Sequence, residues 1–107
     1  MDNGLITFII VTWNNERQIE ACLETLTQYT TVPHEIIIVD NVSQDRTCDI
    51  IVQKYPFVQS IKCKENLGFA KGNNLALKKV TFPYICFTAL YNFYATSEVD
   101  EASLHKA

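Results

Sequence analysis

The sequence predicts an α/β fold, a Rossmann-like three-layer sandwich around a mostly parallel sheet of about four strands. Two observations predict it. Strand-like apolar runs alternate with amphipathic helical segments over short connections, which is typical of parallel sheets with helical crossovers. The runs at 6–11 and 36–39 are apolar at both odd and even positions, as expected for strands that helices cover on both faces. We therefore expect the strand over 6–11 to be central.

The remaining elements are predicted in chain order. A first helix is expected over 16–29, where Asn15 and Gln18 have the spacing of a capping box. A second helix has one apolar stripe and ends at Pro56. The stripe consists of Cys48, Ile51, Val52 and Tyr55. The third strand, over 57–64, alternates polar and apolar residues, which predicts a position near a sheet edge. A third helix over 69–80 and a fourth strand over 84–90 complete the pattern.

Length and composition predict one globular domain and exclude several functional classes. The chain has 107 residues, 48% of them hydrophobic, and its apolar runs are far shorter than the roughly 20 residues that span a bilayer. The net charge of −3 argues against nucleic-acid binding. The first four residues carry no basic charge, so we expect no secretory signal and a cytoplasmic location.

The cysteines and lysines each predict a local property. Four cysteines have spacings that fit neither a zinc site nor a dense disulfide framework, and we expect all of them to be buried thiols. They are Cys22, Cys48, Cys63 and Cys86. Between residues 62 and 79 there are five lysines and one acid, Glu65. This positive segment either attracts a phosphate-bearing ligand or forms a solvated helix face.

Candidate ligand-binding residues follow the predicted strands, because ligands of open α/β sheets bind at the carboxyl ends of the strands. The positions concerned are 12–15, 40–41 and 66–71, and each group includes polar residues. The sequence has neither the glycine-rich dinucleotide fingerprint nor a phosphate-binding P-loop. A phosphate would therefore be held by a lysine, by a helix N-terminus or by a metal ion.

Three sequence blocks resemble the motifs of family-2 glycosyltransferases. Residues 6–16 read ITFIIVTWNNE, residues 37–45 read IIVDNVSQD and residues 65–74 read ENLGFAKGNN. They resemble the family patterns V-[IV]-[IV]-x-T-[YW]-N-x-E, V-V-D-N-x-S-x-D and E-N-x-G-x-A-x-G-x-N, the last seen especially in rhamnosyltransferase-like members. The resemblance implies the nucleotide-sugar-binding half of a GT-A fold over 1–80. A fourth strand and a divergent aromatic-rich tail would occupy 81–107.

The resemblance also implies roles in binding a UDP- or dTDP-sugar. Thr12 and Trp13 would line the slot for the base, although Trp13 also fits a core aromatic at a strand end. Asp40 would accept a hydrogen bond from the imide N–H of uracil or thymine, or from a ribose hydroxyl. Its alternative role is to cap a turn. Glu16 would support the base pocket or complement the dipole of the first helix.

Two further residues are assigned to the nucleotide-sugar site, each with an alternative. Asn41 follows Asp40 and also fits a turn-forming residue. Lys71 would reach the diphosphate of the donor or remain a solvated lysine. Nearby, Asp45 is expected to cap the second helix, and Val42 stands where the family often has glycine or alanine.

The sequence departs from the family pattern after the fourth strand. There the family carries a D-x-D-like group whose carboxylates hold Mg²⁺ or Mn²⁺ against the diphosphate. Residues 88–91 of this chain read TALY, and the next acid is Glu98, too late for the motif. We therefore assign no catalytic residue, no metal ligand and no cofactor to this chain.

The function implied is transfer of a sugar from a UDP- or dTDP-sugar to a glycan or lipid-linked acceptor in cell-surface polysaccharide synthesis. The chain itself is expected to be a truncated and catalytically incomplete form. The alternative is a non-catalytic nucleotide-binding or self-associating module. Six aromatic residues fall between 82 and 94, and a homodimer through them or through a sheet edge is one arrangement that would cover them.

Overall fold

A computed structural model describes residues 6–82, 84–89 and 104–106. The elements are β1 (Ile6–Thr12), α1 (Ile19–Tyr29), β2 (His34–Asp40), α2 (Thr47–Lys54), β3 (Gln59–Lys62), α3 (Gly68–Leu77), β4 (Tyr84–Ala89) and β5 (Leu104–Lys106). The strands form one sheet in the order β3-β2-β1-β4-β5. β1 to β4 are parallel, and β5 pairs antiparallel with β4. The predicted fold class is confirmed.

β1 is the central strand of the parallel part, as its residues predict, and it contributes to a core on each face. Ile10 belongs to a cluster that buries the apolar sides of α1 and α2. The buried members of this cluster are Phe8, Ile10, Ile19, Cys22, Leu23, Leu26, Ile36, Ile38, Ile51, Tyr55, Val58 and Cys86. Ile9 points to the opposite face, where α3 packs. The buried members there are Ile9, Ile37, Val39, Ala76 and Ile85. The alternation of side chains along β1 thus produces the three layers.

β3 lies at an edge of the sheet, as its alternating sequence predicts. Ile61 and Cys63 pack against the core on the α3 side, so the alternation places Lys62 on the opposite face. Lys71 belongs to α3. The lysine-rich segment therefore does not form one surface, because the sheet separates Lys62 from Lys71.

Several details of the predicted elements are wrong. The third strand ends at Lys62 rather than at residue 64, and the third helix ends at Leu77 rather than at residue 80. α1 begins at Ile19 rather than at residue 16, because residues 16–18 form turns and no side chain caps the helix. Val52 is 62% exposed, and Ile50 packs against the core of α2 in its place. β3 begins at Gln59, because Phe57 is also 62% exposed and precedes the strand.

The expectation of four buried thiols holds for two of them. Cys22 and Cys86 are buried, whereas Cys48 and Cys63 are half-buried, and all four are free thiols. Cys48 lies in the first turn of α2, and Cys63 follows the edge strand β3, so neither is covered on every side. Burial raises the pKa of the Cys22 thiol to about 12, because a thiolate is poorly solvated in an apolar core.

Several predictions concern residues 90–103, which lie outside the described residues. They are the part of the aromatic-rich tail from residue 90 to residue 103, which includes three of its six aromatic residues, and the late acids Glu98 to Glu101. The homodimer through the tail also stays a prediction. In the described part of the chain, no helix is both long enough and apolar enough to cross a membrane.

Candidate functional site

The carboxyl ends of β1, β2 and β3 bring residues of three loops together. Thr12 pairs with Asp40 in the register of β1 and β2, and Asp40 pairs with Lys62 of β3. Beyond the strands, the backbone N–H of Asn41 donates to the carbonyl oxygen of Thr12 at 2.8 Å. Four predicted site residues, Thr12, Trp13, Asp40 and Asn41, therefore lie at neighbouring strand ends on one edge of the sheet.

Asp40 closes a tight turn with its own side chain. It is 3% exposed. Its Oδ2 accepts the backbone N–H of Ser43 at 3.2 Å, and its Oδ1 accepts the Ser43 hydroxyl. The turn-forming role of Asp40 is thus present in the structure, and its ligand-binding role stays a prediction. Each carboxylate oxygen has two lone pairs, so Asp40 keeps acceptor capacity for a ligand.

Val42, inside this turn, has a left-handed backbone conformation with a φ of 62°. This conformation is costly for a β-branched residue, because its Cβ crowds the following carbonyl. The strain explains why glycine, which has no Cβ, suits this position in the family pattern that the sequence resembles. Val42 does not break the turn, since the Ser43 to Asp40 bonds still form.

Thr12 and Trp13 differ sharply in exposure. Thr12 is buried, and its hydroxyl donates to Oδ1 of Asn15 at 2.8 Å. The backbone N–H of Trp13 donates to the same oxygen at 2.9 Å, while its indole is 54% exposed. Trp13 is therefore not a core aromatic, and its ring is available as an apolar wall. Oδ1 of Asn15 thus accepts from this bend and not from a helix N–H, so no capping box forms, and Nδ2 of Asn15 donates to Oε1 of Gln18 at 3.5 Å.

The loop after β1 is interlocked with the loop after β2. The backbone N–H of Asn14 donates to the Ser43 hydroxyl oxygen at 2.9 Å, and Oδ1 of Asn14 accepts the backbone N–H of Gln44 at 2.7 Å. Asn14 is left-handed, with a φ of 51°, a conformation that asparagine tolerates better than most residues. The chain thus turns back at Asn14, and both loops share its hydrogen-bonding groups.

A second set of contacts continues the interlock toward α2. The backbone N–H of Asn15 donates to the hydroxyl oxygen of Thr47 at 2.9 Å. The backbone N–H of Glu16 donates to Asp45 at 3.1 Å, and the Glu16 carboxylate accepts the backbone N–H of Arg46 at 2.9 Å. Glu16 therefore binds the second loop, a role that neither of its two predicted alternatives included.

Asp45 has the lowered pKa of a carboxylate that several donors surround. Its Oδ1 accepts the backbone N–H of Thr47 at 3.0 Å and the Thr47 hydroxyl at 2.6 Å. The N-cap residue of α2 is Arg46, without a side-chain cap, so Asp45 holds the first residue of the helix from one position before the predicted cap. Burial alone would raise the pKa of Asp45. The hydrogen bonds from Thr47 and from the backbone of Glu16 outweigh burial and hold the pKa below the ordinary value for Asp.

Asn41 joins the end of β2 to the start of α3. Its side chain is 2% exposed. Oδ1 accepts the backbone N–H of Leu67 at 3.1 Å, and Nδ2 donates to the carbonyl oxygen of Gly68 at 3.3 Å. Both ends of the amide are thus bound to the chain itself. A direct contact between Asn41 and a ligand stays a prediction, and its position favours a structural role.

α3 approaches β1 closely, and it carries Lys71 in its first turn. A Cβ on Gly72 would lie 3.1 Å from both γ-methyl carbons of Val11, so the absence of a side chain at Gly72 permits this packing. Lys71 is exposed. Its predicted contact with a diphosphate therefore stays open, and so does the solvated alternative.

The negative charge of Asp40 affects the pKa of a neighbouring thiol, that of Cys63. Cys63 follows β3, and its backbone N–H donates to the carbonyl oxygen of Asp40 at 2.9 Å. Burial, and then the negative charge of Asp40, raise the pKa of the Cys63 thiol. The site is therefore locally negative at Asp40, which favours ligand groups that donate hydrogen bonds.

The residues present do not fit the Mg²⁺ or Mn²⁺ site that the resemblance implies. β4 approaches its end with Thr88, where a metal-binding carboxylate would follow, and Thr88 offers a buried hydroxyl. Hard divalent cations prefer several oxygen ligands that include carboxylates. Across 6–82, 84–89 and 104–106, no group of three His, Cys, Asp or Glu side chains could hold a metal ion.

Three side chains of the interlock lie outside the positions predicted to bind a ligand: those of Ser43, Asp45 and Thr47. Ser43 follows Asp40 by three residues, the spacing of a side-chain-closed turn, so this signal was available in the sequence. Asn14 binds Ser43 across 29 positions of the chain, and Thr47 binds Asn15 across 32. No local pattern encodes such contacts.

Comparisons with known proteins agree with this geometry. The family model described as "Glycosyl transferase family 2" matches residues 7–88. The teichoic acid poly(glycerol phosphate) polymerase of Staphylococcus epidermidis is 34% identical over 86 residues, 77% of this chain and 12% of the polymerase.

Two solved structures share the fold. S. aureus TarS 1–349 in complex with UDP has a TM-score of 0.72 and 28% identity, over 79% of this chain and 27% of that chain. The mannosyltransferase PcManGT from Pyrobaculum calidifontis, in complex with GDP-Man and Mn²⁺, has a TM-score of 0.71 and 25% identity, over 79% and 27%. The chain thus spans between 12% and 27% of the length of these three proteins.

Proposed function

Because the chain belongs to glycosyl transferase family 2, we propose that it supplies the nucleotide-binding half of an enzyme that uses a UDP- or dTDP-sugar. The acceptor is a glycan or lipid-linked molecule in cell-surface polysaccharide synthesis. The observation that carries the proposal is the arrangement of Asp40, Thr12 and the half-exposed Trp13 at neighbouring strand ends. Ligands of open α/β sheets bind at this edge.

Each of these residues has a physical role in the proposal. The exposed indole of Trp13 supplies a flat apolar wall against which a base can stack. Asp40 accepts the imide N–H of uracil or thymine with a lone pair that Ser43 leaves free. Lys71 supplies a positive charge for the diphosphate. Glu16 and Asn41 contribute indirectly, because their side chains hold the neighbouring loops in position.

Known structures and a relative support this choice of ligand. TarS has been crystallised with UDP and with UDP-GlcNAc, and PcManGT with GDP-Man. Uracil and guanine both present a ring N–H, the group that a carboxylate such as Asp40 accepts. The polymerase relative acts on teichoic acid, which supports a surface polymer as the product.

A second candidate is a nucleotide-binding module without transferase activity. The observation that favours it is the absence of any Asp or Glu between Glu65 and Glu98 in the sequence. The family's metal-binding carboxylates would fall in that interval. The two candidates share the nucleotide site and differ in whether the bond between sugar and diphosphate is broken.

Calorimetric titration of the chain with UDP and dTDP tests the shared part. We expect saturable binding in the presence of EDTA, because the binding groups named above are protein side chains. Asp40→Ala is expected to weaken binding about tenfold or more, since a hydrogen bond to a charged group contributes roughly 1.5–3 kcal/mol. Asp49→Ala is the matched control, because Asp49 is an exposed acid on α2, and it should bind like the wild type.

Two outcomes would contradict the proposal. One is the absence of UDP and dTDP binding by the folded wild-type chain. The other is equal binding by the wild type and Asp40→Ala. Release of UDP from UDP-sugars, measured with and without Mn²⁺, then separates the candidates: turnover supports the transferase, and binding without turnover supports the module.

A further inference from the structure

We propose that Ser43 is a positioning residue for nucleotide binding: it fixes the Asp40 carboxylate as a hydrogen-bond acceptor and couples it to the loop that carries Trp13. This inference rests on the proposed function, because it concerns the same ligand. Ser43 itself makes no contact with the ligand in this proposal. It acts through Asp40 on one side and through Asn14 on the other.

The contacts of Ser43 determine the direction of each hydrogen bond. The backbone N–H of Asn14 donates to the Ser43 hydroxyl oxygen at 2.9 Å. The hydroxyl has a single proton, and that proton is donated to Oδ1 of Asp40. The backbone N–H of Ser43 donates to Oδ2 at 3.2 Å. Both carboxylate oxygens thus accept from Ser43, which fixes the orientation of the acceptor sites that the carboxylate offers to a ligand.

The backbone between Asp40 and Ser43 supports a functional reason for this arrangement. Val42 has a φ of 62°, a strained conformation for a β-branched residue, and strained residues concentrate at binding sites where the surrounding structure holds them. The left-handed residue turns the chain back so that both donors of Ser43 face Asp40. The strained backbone of Val42 therefore places the backbone N–H and the hydroxyl of Ser43 against the Asp40 carboxylate.

Fixing the carboxylate affects both affinity and base selection. A free Asp side chain must lose rotamer entropy when it binds a ligand, whereas Asp40 is already held by two bonds, which lowers the cost of binding. A fixed acceptor also distinguishes uracil, whose N3 carries a proton, from cytosine, whose N3 is an acceptor. Loss of the Ser43 hydroxyl should therefore reduce UDP affinity more than CDP affinity.

The test measures UDP and CDP affinities by calorimetry for the wild type, Ser43→Ala and Ser43→Thr, with Gln44→Ala as the control. Gln44 is exposed and binds Asn14 through its backbone, so its side chain is dispensable. We expect Ser43→Ala to weaken UDP binding about tenfold, the effect of losing a hydrogen bond to a charged group, and to lower the preference for UDP over CDP. Ser43→Thr keeps the hydroxyl and should stay within about threefold of the wild type.

The outcomes separate this inference from the proposed function. If the wild type binds UDP and Asp40→Ala does not, but Ser43→Ala binds like the wild type, the positioning role is overturned and the proposed function stands. Equal losses of UDP and CDP affinity in Ser43→Ala would also overturn it, since a purely structural defect lowers both. If the folded wild type binds neither UDP nor dTDP, the proposed function and this inference fail together. Should Ser43→Ala not fold, Ser43→Thr and Ser43→Val, which share one shape and differ in the hydroxyl, give the same comparison.

Discussion

Two junctions hold the loops at the carboxyl edge of the sheet, and they are built in different ways. The junction between the β1 and β2 loops contains five hydrogen bonds, each between a side chain and a backbone N–H. The junction between β2 and the start of α3 depends on one amide side chain, that of Asn41, which makes two bonds. The first junction is spread over several side chains, and we call it the distributed junction. The second depends on the Asn41 side chain, and we call it the concentrated junction.

The difference separates two ways of keeping a binding edge in shape. In the distributed junction, one truncated side chain leaves most of the bonds in place, and the loops carrying Trp13 and Asp40 stay together. In the concentrated junction, one truncation removes both side-chain bonds, and the backbone N–H of the half-buried Leu67 loses its partner. The position of α3 and of Lys71 relative to Asp40 should therefore be the more fragile feature.

The largest expected effect is that of Asn41→Ala. Both hydrogen bonds of the amide are lost, and the backbone N–H of Leu67 is left without its acceptor. Net hydrogen bonds contribute roughly 0.5–1.5 kcal/mol each, and an unsatisfied buried donor costs roughly 1–3 kcal/mol. We expect the free energy of unfolding to fall by about 3 kcal/mol, measured by urea denaturation.

Asn74→Ala is the control for Asn41→Ala, because Asn74 is an exposed asparagine on α3. It should change stability by less than about 0.5 kcal/mol. If Asn41→Ala lowers the free energy of unfolding no more than Asn74→Ala does, the packing of Gly72 on Val11, rather than the Asn41 amide, holds α3. The contrast between the two junctions would then disappear.

Val42→Gly, in the turn between Asp40 and Ser43, is expected to have a smaller effect of opposite sign: it should raise the free energy of unfolding. Relief of the left-handed conformation is worth roughly 1–2 kcal/mol, and the added freedom of glycine in the unfolded chain offsets roughly 0.4–1 kcal/mol of it. We expect the free energy of unfolding, measured by thermal or urea denaturation, to rise by about 0.5–1 kcal/mol. Val42→Ala should gain less, because alanine keeps a Cβ. A glycine variant less stable than the wild type would show that Val42 is held by its side-chain contacts and is not strained.

The fold was largely predictable from the sequence because its strands are buried on both faces. Residues 6–11 and 36–39 are apolar at both parities, and this pattern correctly predicted β1 as central. The ends of elements were less predictable. Phe57 looked like a strand residue but lies outside β3, and α1 begins after a bend in which the Asn15 side chain binds Thr12 and Trp13. Both boundaries depend on local contacts and exposure that the periodicity of apolar residues does not encode.

The site was predictable where its contacts are local. The turn from Asp40 to Ser43 follows from residue types three positions apart, and Asp45, which was expected to cap α2, holds the first residue of that helix. The contacts that interlock the loops were not predictable, because Asn14 meets Ser43 and Glu16 meets Asp45 only after the sheet aligns β1 with β2. Their prediction requires the register of two strands, which one sequence does not supply.

The smallest expected effect is the pH dependence of stability that Asp45 causes. It tests whether the negative charge of Asp45 contributes to the distributed junction. Hydrogen bonds from Thr47 and Glu16 lower its pKa in the folded chain below the ordinary value for Asp, so folding favours the ionised carboxylate. The stabilisation is fully present above the unfolded pKa of about 3.9 and is lost as the pH falls through the lower folded value. Between pH 5 and pH 3 the wild type should lose more unfolding free energy than Asp45→Asn, which cannot titrate. Parallel losses in the two proteins would mean that the Thr47 and Glu16 bonds do not depend on the charge, and that the junction is held by hydrogen-bond geometry alone.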